Sequence, residues 1–295
     1  HADSPDHMET DFEHAGIPIS QVCSLAFPFM SAWIKNWFDN EFIMNQDSAL
    51  MYKGNEPVKV KNPEAYFTDD YIKKMMNRYI RDPEYRFSEI KVPLDNGKWG
   101  KLHFTGIVYD DNNTAEQNTI ADRPMTVTDL LYLAAYDVTK DKHCMITRYP
   151  VSDSYGIFLA KCRVISTIKT HVVKIGETVY EHYPIIEPNL TEKEIATRFK
   201  ETVIFSSSYL EGIGGDYDGD QVTIKILWSQ EANEEIKKKM LEPSFFITPS
   251  GTNIRQIGNE GLQTMYMLTK EPDAKSKTIT NKEEIDTLVN MKPED

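Results

Sequence analysis

Apolar and polar positions alternate between Lys101 and Tyr109, the two-residue period of a strand with one covered face. The run ends in the turn formers Asp110-Asp111-Asn112-Asn113. From Cys144 to Ile186 one extended signal follows another: Ile157 to Leu159, Cys162 to Ile168, Thr170 to Ile175 and Thr178 to Tyr183. The β-branched run Val222 to Leu227 predicts a further strand. Helical spacing appears over Ala26 to Phe42, where Phe27, Phe29, Trp33, Trp37 and Phe38 are the expected buried face. Asp69 to Tyr79 and a short capped segment from Thr128-Asp129 to Val138 are two more helices. A fourth starts at Ser229, an N-cap residue, with Glu231, Glu234 and Glu235 early and Lys237, Lys238 and Lys239 late. That charge order suits the helix dipole, and Pro243 stops the run.

This mixture predicts an α+β protein in three parts. Residues 1–125 form a mixed α/β region, 126–270 a strand-rich region with an insert near 187–205, and 271–295 a charged linker or tail. A chain of 295 residues holds one large domain or two small ones. No apolar run is long enough to span a bilayer, and no signal peptide is visible. Cys23, Cys144 and Cys162 lack metal-binding spacing and are expected as free, buried thiols of a reducing compartment. There is no internal repeat or low-complexity tract.

The chemistry concentrates in Gly215-Asp216-Tyr217-Asp218-Gly219-Asp220-Gln221. Three carboxylates held close together raise one another's pKa unless a cation joins them. An all-oxygen donor set selects a hard ion such as Mg²⁺. Gly219 allows a positive φ, so the loop can fold back on itself. An EF-hand fails here, because its sixth and twelfth positions counted from Asp216 hold Gln221 and Leu227. An aspartate-nucleophile phosphatase fits poorly, because Gly214-Gly215 precede the motif where a hydrophobic strand should stand. A solvated acidic turn is the plain alternative for an isolated Asp-x-Asp-x-Asp.

In its setting the loop resembles a known family. Gly214 to Val222 is similar to the Asn-Ala-Asp-Phe-Asp-Gly-Asp-Gln-Met motif of the beta-prime (largest) subunit of multisubunit DNA-directed RNA polymerases. The likeness continues through Ser229-Gln230-Glu231-Ala232, Pro249-Ser250-Gly251-Thr252 and Gly261 to Thr269. Upstream, Thr147-Arg148-Tyr149-Pro150 resembles the family's Asn-Arg-x-Pro segment, and His182-Tyr183-Pro184 stands where the family has a His-Pro pair. Departures are plain. Gly214 replaces an asparagine that contacts ribose, and an insert separates Pro184 from the loop. The sequence ends at Asp295, before the family's bridge helix and trigger loop, as expected of a split subunit or a piece of a longer chain. Such features suit polymerases of large phages or other viruses.

The resemblance implies a double-psi β-barrel carrying the metal loop, with flanking helices. It implies Mg²⁺-dependent nucleotidyl transfer from nucleoside triphosphates to an RNA 3′ end, with Asp216, Asp218 and Asp220 as catalytic residues and metal ligands. Two ions about 4 Å apart would serve attacking and leaving oxygens. Arg148 corresponds to a nucleotide-contacting arginine, hence a substrate-binding residue. Implied partners are a beta-like subunit, the remaining beta-prime segment with bridge helix and trigger loop, DNA template and RNA, in host cytoplasm or virion and without a membrane. Two alternatives stay open: a non-catalytic subunit that binds a divalent ion structurally, and an unrelated Mg²⁺-dependent phosphotransferase.

Charge qualifies this reading. The chain carries a net −13, unlike a free-standing nucleic-acid binder. Between Lys140 and Ile175, however, seven cations (Lys140, Lys142, Arg148, Lys161, Arg163, Lys169 and Lys174) face only Asp141 and Asp153. These are either one basic wall of a channel or scattered solvated strand residues. His143, His171 and His182 are expected to pack or to sit at the surface rather than bind metal. Tyr132, Tyr136, Trp99 and Trp228 are expected in the core.

Overall fold

The computed structural model describes residues 12–40, 50–53, 56–62, 65–109, 119–151, 156–175, 177–186, 191, 194, 197–215 and 219–255, with the backbone alone for 50–53, 56–59, 103–109, 119–123 and 211. Strand β1 (His14–Pro18) runs straight into helices α1 (Ile19–Leu25) and α2 (Phe27–Phe38). Then come β2 (Leu50–Lys53), β3 (Glu56–Lys59) and helix α3 (Asp69–Arg81). Strands β4 (Lys91–Pro93), β5 (Trp99–Lys101), β6 (His103–Tyr109) and β7 (Thr119–Pro124) lead to helix α4 (Val127–Thr139). Four strands follow: β8 (His143–Thr147), β9 (Ile157–Ile165), β10 (Thr170–Ile175) and β11 (Thr178–Pro184). A single turn at Leu210–Ile213, strand β12 (Thr223–Ile226) and a helix at Gln230–Lys239 complete the described order. The class is α+β, as the sequence pattern predicts.

Among the described residues the strands form two four-stranded sheets. One has the order β1-β9-β8-β12, and the other β11-β10-β6-β7. The first is mixed, with β1 parallel to β9 and both β9 and β12 antiparallel to β8. The second is antiparallel throughout. Each sheet takes strands from both sides of residue 125. The turn Asp110 to Asn113 and the tail 271–295 lie outside the described residues.

Helix α4 occupies the core and packs on α1, α2, β9 and β11. Leu130, Leu131, Tyr132, Ala134 and Ala135 are all buried. Its N-terminus is pinned by a buried polar knot. The Thr126 hydroxyl accepts from the Asp129 amide at 3.3 Å. Asp129 Oδ2 in turn accepts from the Thr126 amide and hydroxyl, both at 2.8 Å. This reciprocal capping satisfies donors that a helix start otherwise leaves orphaned. Asp129 Oδ1 accepts from the hydroxyl of Tyr183 on β11 at 2.7 Å, so the cap also ties the helix to the second sheet. Tyr183 is fully buried, and burial pushes the phenol of its neighbour Tyr132 far above the usual range.

Of the aromatic face expected on the first long helix, Phe38 alone is fully buried. Met30, Ser31, Ile34 and Phe38 point inward, at four-residue steps from Met30. Phe27, Trp33 and Trp37 are half-buried and Phe29 is exposed. Steps of four hold a helix to one face, whereas Phe27 and Phe29 diverge by two residues and cannot share it. Trp33 spends its ring N–H on Asp137 of α4 at 2.9 Å. Trp99, expected in the core, is exposed on the short ribbon β4-β5.

Because Tyr183 donates to a fully buried carboxylate, Tyr183→Phe removes that hydrogen bond while preserving the ring. Urea unfolding should show a loss of about 1–3 kcal/mol. Asp129→Ala should cost more, because it removes the cap and strands the Thr126 donors as well.

Candidate active site

Strand β8 is the scaffold of the site. Its register with β12 pairs Thr147 with Thr223, Ile146 with Ile224, Met145 with Lys225 and Cys144 with Ile226. An antiparallel pair of this register brings the residue after Thr147 alongside the residues before Thr223. Arg148 therefore emerges beside Asp220. Its Nε lies 2.5 Å from Asp220 Oδ2 and its Nη2 3.1 Å from Oδ1. This is the two-pronged match of guanidinium and carboxylate. The side chains are 30% and 22% exposed, so the pair sits at the rim rather than in the core.

The backbone beneath is bare. Gly214 has a φ of +60°, and a Cβ placed there would come within 3.9 Å of Arg148 Nη1. A Cβ on Gly215 would stand 3.6 Å from Arg148 Cδ and 3.2 Å from the Ile213 side chain. The arginine therefore lies within van der Waals reach of both glycines, while the tight approach at Gly215 is to Ile213. Gly219 has a φ of +110°, the conformation for which glycine is expected in this loop. The Tyr149–Pro150 peptide bond is cis, and Tyr149 is exposed.

The other end of β8 is clamped from the helix Gln230–Lys239. Ser229 caps that helix by accepting from the Ala232 amide at 3.2 Å. Asn233 donates through Nδ2 to the carbonyls of Leu227 and Ser229, each at 2.8 Å. That orientation leaves Oδ1 to accept from the His143 amide at 2.7 Å. Oδ1 is also 3.1 Å from His143 Nδ1, which assigns the ring proton to Nδ1. Nε2 is buried and has no hydrogen-bond partner among the described residues. His143 is a packed histidine, as expected, and burial holds its pKa below the usual value. Asn233 was legible only as a polar residue at a helix position that turns out to be buried.

Of the predicted site residues, the structure thus joins Arg148 to Asp220. Asp216 and Asp218 lie outside the described residues, as do Gly261 to Thr269. Among the described residues no group of three His, Cys, Asp or Glu gathers around a point. Asp220 itself suits a hard cation: its donors are oxygens, and both already face one positive group. Pro249-Ser250-Gly251-Thr252 forms a tight turn, with the Gly251 amide on the Thr248 carbonyl at 2.9 Å.

Several cations of the basic segment are engaged within the chain. Lys140 pairs with Asp137 at 3.2 Å and Lys161 with Glu13 at 2.5 Å, while Lys142 donates to the Trp228 carbonyl at 3.3 Å. Trp228 is half-buried and stacks on Phe29 with centroids 4.1 Å apart. The three cysteines are free and buried. Cys23 is pushed up to about 12 by burial, which keeps it an unreactive thiol.

No protein-family model matches the chain, and no curated protein matches it either.

His143 also sets a pH dependence. Its folded-state pKa is depressed, so the unfolded chain takes up the proton first on acidification. Its contribution to stability is present above about pH 6.5 and is lost as the pH falls below that. Urea midpoints should therefore drop more steeply in wild type than in His143→Asn between about pH 7 and about pH 5.

Proposed function

We propose that this chain is the catalytic portion of a beta-prime-like subunit of a DNA-directed RNA polymerase. The observation that carries the reading is the triple-aspartate loop Asp216, Asp218 and Asp220, followed by strand and capped helix, with Arg148 brought onto its last carboxylate. In this reading the strands around β8, β9 and β12 belong to a double-psi β-barrel. The reaction is nucleotidyl transfer. The RNA 3′ oxygen bonds to the α-phosphorus of a nucleoside triphosphate, the bond from that phosphorus to the bridging oxygen breaks, the hydroxyl loses its proton, and pyrophosphate leaves.

Asp216, Asp218 and Asp220 would hold Mg²⁺, which when bound polarises the attacking hydroxyl and neutralises the leaving oxygens. The chain's own share is placement and charge. Three carboxylates supply negative potential at one loop, and Gly219 shapes it. Arg148, at the rim, places a fork of donors where an anionic nucleotide can reach it. Such groups assist transfer by positioning and electrostatics rather than by covalent chemistry.

The net charge of −13 bears on how the chain would work. An acidic body repels nucleic acid unless a partner supplies the opposing surface. The reading therefore includes a beta-like subunit facing the triphosphate, and a segment that closes on the substrate.

Two outcomes follow. Asp218→Ala or Asp220→Ala in the assembled enzyme should abolish RNA synthesis on a primed template while the variants stay folded by circular dichroism. Normal synthesis by either variant would remove the loop from the mechanism. The 295-residue chain by itself should make no RNA on the same template. Templated synthesis by the isolated chain would refute its assignment as one half of a two-part site.

A further inference from the structure

We infer that Arg148 is an exchangeable counter-cation, which holds Asp220 until a divalent ion replaces it and is then released to an anionic ligand. The inference rests on the reading of Asp220 as a metal ligand.

The geometry supplies the first argument. Both oxygens of Asp220 are taken up by the guanidinium, through Nε and Nη2. A carboxylate gripped at both oxygens by a fork cannot also offer its full charge to a hard ion. One of the two cations has to give way.

The second argument is the ease of giving way. A buried guanidinium that lost its carboxylate would be stranded at high cost. Arg148 is not in that position, because nearly a third of its side chain is exposed. It can rotate toward water without leaving an unpaired charge in the core. The glycine bed has no side chain to obstruct it: nothing bulkier than hydrogen projects from Gly214 or Gly215 beneath the arginine. Buried Arg86 shows the contrast. It is fixed by Glu201, by the Tyr79 carbonyl at 3.1 Å, and by the rings of Tyr79 and Phe199 at 5.2 and 4.8 Å.

The third argument is charge. A divalent ion brings twice the charge of the guanidinium to the same carboxylate. Once it has bound, the displaced fork stands at the rim beside it. Both positive groups then face the same approach, and a ligand rich in phosphate oxygens satisfies both. Metal and anion would thus load in sequence, with the arginine passing from the protein carboxylate to the incoming phosphate.

The sign of the effect separates this role from an ordinary substrate contact. An arginine that binds substrate while standing clear of Asp220 leaves metal affinity nearly unchanged when it is removed. An arginine that competes for Asp220 raises it. Mn²⁺ binding to the full chain is measured by electron paramagnetic resonance of the free ion, in wild type, Arg148→Gln and Arg148→Lys. Arg148→Gln should bind on the order of tenfold more tightly than wild type, from loss of one nearby positive charge in a largely aqueous setting. Arg148→Lys should fall between the two. In parallel, the Arg148 Nε–H signal of ¹⁵N-labelled wild type, assigned by its loss in the variants, should move as Mg²⁺ is added.

Equal or weaker Mn²⁺ binding by Arg148→Gln overturns the exchange while leaving Asp220 standing as a metal ligand. Absence of binding in both wild type and Arg148→Gln overturns the metal reading and the exchange with it. Should the glutamine variant fail to fold, the wild-type signal decides: an Nε–H resonance unmoved at saturating Mg²⁺ rejects the exchange.

Discussion

Strand β8 is shared between two antiparallel neighbours, and that shared register constrains everything around the candidate site. On one side His143 to Thr147 pairs with Lys161 to Ile157, and on the other Thr147 to Cys144 pairs with Thr223 to Ile226. A slip of one residue against either neighbour would turn Cys144 and Ile146, both fully buried, out of the core. The register is therefore fixed by burial. Arg148 meets Asp220 because both lie just past the paired residues, at the same end of the ladder. The meeting is a property of the sheet and does not require the acidic loop to recruit the arginine.

The same economy joins segments far apart in the chain. Strand β1 enters parallel to β9, and its Gly16 exchanges amide and carbonyl bonds with Ile204 at 2.7 and 2.9 Å. Thr167 bridges to Phe199, and the Lys200 amide donates to the Ser166 carbonyl at 2.7 Å. The last part of the insert is thus stitched into the first sheet. Arg86 reinforces the stitching from the other side by pairing with Glu201 while its guanidinium lies against aromatic rings. A charge buried that deeply requires such a partner. Residues that read as an addition to a smaller scaffold in fact bond to β1 at Gly16 and to Ser166 and Thr167 just after β9.

Local features were legible in the sequence because local physics produces them. The Ser229 cap, the acidic start and basic end of its helix, and the strand at Thr223–Ile226 follow from hydrogen-bonding and charge rules that act over a few residues. Helix α3 begins at Thr68 for the same reason. Sheet order was not legible. The pairing of β1 with β9 spans about half the chain, and nothing in Ala15-Gly16-Ile17-Pro18 announces its partner. The strand expected to begin at Cys162 is instead the second half of β9, which runs unbroken through Ala160 and Lys161. The buried face of α2 coincides with the expected aromatic one only at Phe38, because angular position outweighs aromatic size. Trp33 and Trp37 are large enough to touch the core from the flank, so four-residue steps from Met30 decide what faces inward. Arg148 was found by its order ahead of the loop. Its glycine bed and its two-pronged grip on Asp220 needed coordinates.

The charge distribution also changes meaning once folded. Along the sequence, residues 140–175 read as a basic strip facing an acidic remainder. In the fold Arg148 and Lys161 each face a carboxylate from another part of the chain, Lys140 pairs with Asp137 one helical turn before it, and Lys142 turns to a backbone carbonyl. Lys140 and Lys161 are exposed pairs worth little to stability, yet they cancel the field that a run of free cations would project. What remains to attract a polyanion is weaker than the count of seven suggests, while the net −13 persists at long range within the screening length. Association with nucleic acid by long-range attraction is therefore disfavoured for this chain. At contact distance the balance differs, because the local charge of the single Arg148 fork outweighs the average of the body.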